Sequence, residues 1–94
     1  VVRALAPWTV NLHVKDFAVT RHASQMGFTI EGRPAGQGRL DVPWLLDAVR
    51  AQGRDPNAII ELWTPFERDL GTTIHKETTW AAESVEYMRS LILD

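Results

Sequence analysis

Cysteine is absent from this chain of 94 residues. That excludes disulfides and thiolate metal sites, and it fits a reducing compartment, so a cytoplasmic location is expected. No apolar run is long enough to span a bilayer, so no membrane partner is expected. Like charges are not clustered, and the net charge is only -2. No nucleic-acid partner is expected from such a balance. The first residues, VVRALAPW, lack the long apolar centre of a signal peptide. They also lack an initiating methionine, and the expectation is that residue 1 need not be a natural start.

What is present is an ordinary globular composition, 45% hydrophobic, at the lower end of length for one domain. The stretch NLHVKDF, residues 11–17, alternates polar and apolar side chains. A strand sends successive side chains to opposite faces. Val10, Leu12 and Val14 therefore share one face, and Asn11, His13 and Lys15 share the other. A strand is expected over about 8–16.

Residues 17–40 are expected to form a long loop, rich in Gly27, Gly32, Pro34, Gly36 and Gly38. A loop of that length is functional or disordered. Its glycines favour mobility in a free chain. A helix is expected over about 42–52. Asp41 suits its N-cap, Pro43 its first turn and Gly53 the position beyond its end. Val42, Leu45, Leu46 and Val49 make its apolar stripe. AIIELW predicts a second strand over about 58–63. A last helix is expected over about 72–91, with Ile74, Ala81, Val85, Met88 and Ile92 inward. Trp8, Trp44 and Trp80 read as core or interlayer residues.

Strand, helix, strand, helix is the α/β alternation, which implies parallel strands with a right-handed crossover. The helices can cover the Leu12–Val14 face. The other face carries His13 and Lys15 and, from the second strand, Ile59, Glu61 and Trp63. Parallel sheets are normally covered on both faces. A closed barrel encloses such a face, and two strands cannot close one. The chain is therefore expected to be a single partial barrel segment over 1–94, completed by association with copies of itself or with an N-terminal barrel portion. By parity His13 and Glu61 point the same way, near the C-terminal strand ends. An imidazole and a carboxylate there suit manganese, magnesium, cobalt or zinc. The alternative is a His–Glu pair that satisfies itself. Lys15 and Asp16 are read as charges that pair around the rim, and Trp63 as either packing or a sugar-stacking surface.

NLHVKDF, GRPAGQGRLDVPWLL and IIELWTP, in that order, resemble the C-terminal part of the sugar phosphate isomerase/epimerase family. These proteins are xylose-isomerase-like (β/α)8 TIM barrels. The resemblance covers nearly the whole chain and implies the last two strand–helix units. It implies a divalent metal held by His13 and Glu61, with Glu61 also the catalytic acid/base, and a sugar or sugar phosphate substrate. Arg33 is the nearest match to a substrate-binding arginine, with Arg21 and Arg39 as rivals; Lys15 and Trp63 complete the candidate substrate contacts. The family's other metal ligands lie on strands this sequence does not contain. The 94 residues alone are therefore expected to be inactive, with no metal bound as one outcome. The implied activity is proton transfer through an enediolate. Two other readings stay open: a non-catalytic, self-associating barrel fragment, and a phosphodiester-cleaving barrel relative. The latter is disfavoured by the missing basic stripe.

Overall fold

A computed structural model describes residues 1–92. A short helix α1 (Val2–Leu5) and a 3-10 turn (Ala6–Trp8) lead into strand β1 (Asn11–Val14). Strands β2 (Phe17–Arg21) and β3 (Phe28–Gly32) follow, then helix α2 (Val42–Arg50), strand β4 (Asn57–Ile60) and helix α3 (Leu70–Leu91). Strand β1 pairs with β4 in parallel, with His13 opposite Ile59 and Val14 opposite Ile60. The ladder runs one step further, because the Glu61 amide donates to the Val14 carbonyl at 2.9 Å.

The stretch over 17–40 is not the unstructured loop that its glycines suggest. Strands β2 and β3 pair antiparallel, Phe17 opposite Gly32 and Arg21 opposite Phe28. FTIEG alternates apolar and polar residues and is rich in strand formers, which is the signal the glycines obscured. The His22 amide donates to the Gly27 carbonyl and closes the hairpin.

Four more expectations need correction. The first strand begins at Asn11, not near residue 8, since Pro7 and Trp8 belong to the 3-10 turn. Trp8 is exposed rather than core, and Trp44 is more than a third exposed. Helix α3 begins at Leu70, two residues early, because the Asp69 side chain caps it by accepting from the Thr72 amide. Its packed face differs in part: Met88 and Ile92 meet the core as expected, joined by Ser84, Tyr87 and Leu91, whereas Ile74 and Val85 are exposed. Ser84 turns inward because its hydroxyl accepts from the Ala35 amide at 2.9 Å.

The core lies on one side of the β1–β4 sheet. It joins Val14, Ala35, Val42, Leu46 and Met88, with Leu12, Ala58 and Ile60 packed against it. Helix α2 supplies Val42, Leu46 and Val49 from its apolar stripe, and the Asp41 carboxylate accepts from the Trp44 amide as the expected N-cap. No helix among the described residues is long and apolar enough to cross a membrane.

The other side of the sheet is uncovered. The molecule is a slab of 45 × 33 × 18 Å with a radius of gyration of 15.4 Å. A compact chain of this length has a radius of about 12 Å. The accessible surface is 6841 Å². A folded monomer of this mass exposes about 5,500 Å². Ile59 and Trp63 on the open face and Phe28 and Ile30 on the hairpin are all exposed and contribute to the excess.

Candidate functional site

The uncovered face carries the candidate residues. His13 stands opposite Ile59 on adjacent parallel strands, and Glu61 follows two positions on, so alternation brings His13 and Glu61 to one side. His13 Nδ1 lies 3.4 Å from Glu61 Oε2, and Lys15 Nζ donates to Glu61 Oε1 at 3.1 Å. The Lys15 ammonium also sits 5.5 Å from the Trp63 ring centroid, a cation–π distance. Four candidates thus form one cluster at the C-terminal ends of β1 and β4. Lys15 finds its rim partner in Glu61 itself.

The two donors hold the Glu61 carboxyl below the ordinary glutamate range; the Lys15 hydrogen bond contributes most, then His13. A lowered folded-state pKa favours the fold above the ordinary glutamate value, and that contribution is lost as pH falls through the lowered value. Glu61 is well exposed, so the effect on stability is small. Replacing Lys15 by Met should move the Glu61 titration up toward the ordinary value. A carboxyl-carbon NMR titration checks this, and an unmoved curve would show that Lys15 is not the cause.

An imidazole nitrogen and a carboxylate oxygen converging at 3.4 Å fit a borderline divalent cation. They are half a set. No group of three or more His, Asp or Glu side chains able to hold a metal occurs among the described residues. The donors fit such an ion provided further ligands come from elsewhere.

Arg33 is not in this cluster. Its guanidinium donates to the Gly32 carbonyl at 2.8 Å and reaches Glu31 at 3.4 Å. Its backbone is nevertheless held beside the site, since the Arg33 amide donates to the Asp16 carbonyl. Gly32, just before it, packs on Trp63 so closely that an added Cβ would lie 1.8 Å from the Trp63 carbonyl oxygen. Gly32→Ala must push β3 away from the segment after β4 that carries Glu61 and Trp63. It should cost roughly 1–3 kcal/mol or more and shift Trp63 fluorescence; denaturant melts read the first and emission spectra the second. Of the rival arginines, Arg21 lies at the far end of β2, and the Arg39 amide donates to the Phe17 carbonyl.

Asp16 is the residue that sequence reasoning misplaced. It is buried rather than at the rim. Its Oδ1 accepts from the Phe17 and Leu40 amides at 2.8 and 3.0 Å. Its Oδ2 accepts from the Gly36 and Gly38 amides at 2.9 and 3.0 Å. Alternation turns Asp16 away from His13 and Lys15, toward the glycine-rich segment. An Asp before such a segment is a weak signal, because the partners lie 20 to 24 positions on. Asp16→Asn keeps the shape but turns an amide donor toward two backbone donors. It should destabilise the fold by roughly 2–4 kcal/mol, read by chemical denaturation.

No known family's profile matches the chain. Over 88 residues, 94% of its length, the chain is 36% identical to the 3-oxo-isoapionate decarboxylase of Pectobacterium atrosepticum, and it covers 32% of that protein. The chain thus spans about a third of the length of the curated relative it matches. No solved structure matches.

Proposed function

We propose that this chain is the C-terminal part of a divalent-metal-dependent barrel enzyme that forms an enediolate from a sugar or sugar acid. The observation that carries this reading is the convergence of His13, Lys15 and Glu61 at the C-terminal ends of two adjacent parallel strands. Reactive groups of (β/α)8 barrels sit at that end. In this reading β1–α2 and β4–α3 are the last two strand–helix units, and earlier strands supply the missing ligands.

His13 and Glu61 would hold the cation, which when bound supplies positive charge beside the substrate oxygens. Glu61, kept ionised by Lys15 and His13, is poised to take a proton from, or return one to, the carbon beside a carbonyl. The Lys15 ammonium faces the same space and can meet charge developing on oxygen. Trp63 offers an apolar face to the carbon-bound side of a sugar. Arg33 offers a planar fork for a carboxylate or phosphate, once its bonds to the Gly32 carbonyl and Glu31 are exchanged.

Isomerisation or epimerisation breaks a carbon–hydrogen bond to reach the enediolate. Decarboxylation of a 3-oxo acid reaches an enolate by breaking a carbon–carbon bond. The electron pair moves toward the ketone, carbon dioxide leaves, and an acid then protonates the carbon. The name of the decarboxylase relative favours this second route. One assay separates them: incubate the assembled enzyme with ketoses and with 3-oxo sugar acids in deuterated water. Deuterium entry into recovered ketose supports isomerase or epimerase chemistry. Carbon dioxide release from the oxo acids supports decarboxylation. Neither product, with metal bound, would overturn the enediolate reading.

A further inference from the structure

The amides of Gly36, Gly38 and Leu40 converge, together with that of Phe17, on one point. Converging backbone N–H groups make an anion-binding concavity. Here the anion is internal. The Asp16 carboxylate fills the concavity with two donors on each oxygen. The fit leaves no slack, because a Cβ at Gly38 would lie 2.2 Å from Asp16 Oδ1. Gly36 adopts φ +87, which L side chains rarely take, and a Cβ there would strike the Tyr87 ring.

The same segment is anchored at both ends. The Arg33 amide donates to the Asp16 carbonyl at 3.0 Å, and the Arg39 amide to the Phe17 carbonyl at 2.8 Å. In its middle, the Ala35 amide donates to the buried Ser84 hydroxyl. Residues 33–40 are thus wrapped around Asp16, and Arg33 opens the wrap.

We infer that Asp16 is a positioning residue: it occupies an oxyanion cradle from within, and so presets the 33–40 segment and Arg33 beside the Glu61 cluster before an anionic substrate arrives. The functional half of this statement rests on the reading of Arg33 as the substrate-anion residue. The structural half stands without turnover. One consequence is that the glycine loop is closed to a substrate phosphate. Its amides are already engaged, and any substrate anion must be met by side chains.

Backbone hydrogen exchange, followed by mass spectrometry on the assembled protein, tests this. In Asp16→Ala, the 33–40 peptide should exchange about tenfold faster or more, while the α2 and β1 peptides keep their protection. Excess sodium formate, a free carboxylate small enough for the vacated space, should restore protection; sodium chloride at equal ionic strength should not. Arg33→Gln should leave the peptide as protected as in the unsubstituted protein, because Asp16 and not the guanidinium holds the loop. Unchanged exchange in Asp16→Ala would overturn the inference. So would failure of formate to restore protection, or loss of protection in Arg33→Gln. If Asp16→Ala does not fold, Asp16→Asn gives the same readout, and wild-type protection there would overturn it too. These results do not depend on the reaction catalysed, so an incorrect enediolate assignment leaves them standing.

Discussion

On the function proposed above, Glu61→Gln in the assembled protein should cut turnover by roughly 10²- to 10⁴-fold, the range that a positioned acid/base contributes. Gln keeps the side-chain shape but removes the charge, the base and the metal-binding oxyanion together. The partners in the cluster sharpen this expectation. Lys15 and His13 both direct hydrogen bonds at the carboxylate, one at each oxygen. A neutral amide can accept at only one of those positions. With Lys15 kept on the amide oxygen, His13 keeps a partner only as an acceptor from the amide NH2, so its tautomer changes as well as the charge of the face. His13→Asn should act differently. It removes one ligand and leaves the base, so the main loss is in metal affinity, and excess metal should restore part of the activity. Steady-state kinetics at several metal concentrations separate the two variants. Equal activity of Glu61→Gln and the unsubstituted enzyme at saturating metal would remove Glu61 from the chemistry.

The second large effect concerns the chain by itself. At micromolar concentration it should sediment as a dimer or larger species, or else melt without a cooperative transition. The reason is the uncovered sheet face. Among the described residues the β1–β4 sheet has two strands, and no strand pairs on either outer edge. Two paired strands are marginal in water unless something packs on them. Helices α2 and α3 cover one face only, and the buried apolar core contains few large side chains. The exposed surface exceeds that of a compact monomer of this mass by roughly 1,400 Å², which is more than the ~800 Å² per partner buried in a standard protein interface. Burying Ile59, Trp63, Phe28 and Ile30 is where the stabilisation lies. A compact monomer with a cooperative melt, shown by sedimentation and calorimetry, would contradict this reading.

The cluster was legible because strand alternation is a strict period. Once NLHV and NAII are strands side by side and the alternation carries one residue past β4, His13 and Glu61 share a face; only the parallel register needed the fold. Helix α2 was legible through local chemistry, since Asp41 and Pro43 act within one turn. The hairpin was missed because Gly27 and Gly32 were read as marks of one long loop. Gly27 instead sits in the turn, and Gly32 permits close approach to Trp63. The inward face of α3 was misjudged for a different reason. Ile74 and Val85 are more apolar than Ser84, so periodicity favoured them, but Ser84 is drawn inward by the Ala35 amide. Asp16 depends on the same kind of long-range partner. No local pattern reveals that a carboxylate at a strand end will meet the amides of Gly36, Gly38 and Leu40.

Manganese titration of the assembled protein, followed by electron paramagnetic resonance, reads the proposed His13–Glu61 site itself. One tightly bound ion per chain is expected, with affinity reduced in both His13→Asn and Glu61→Gln and unchanged in Arg33→Gln. Binding that is as tight in His13→Asn and Glu61→Gln as in the unsubstituted protein would show that these two side chains do not hold the ion.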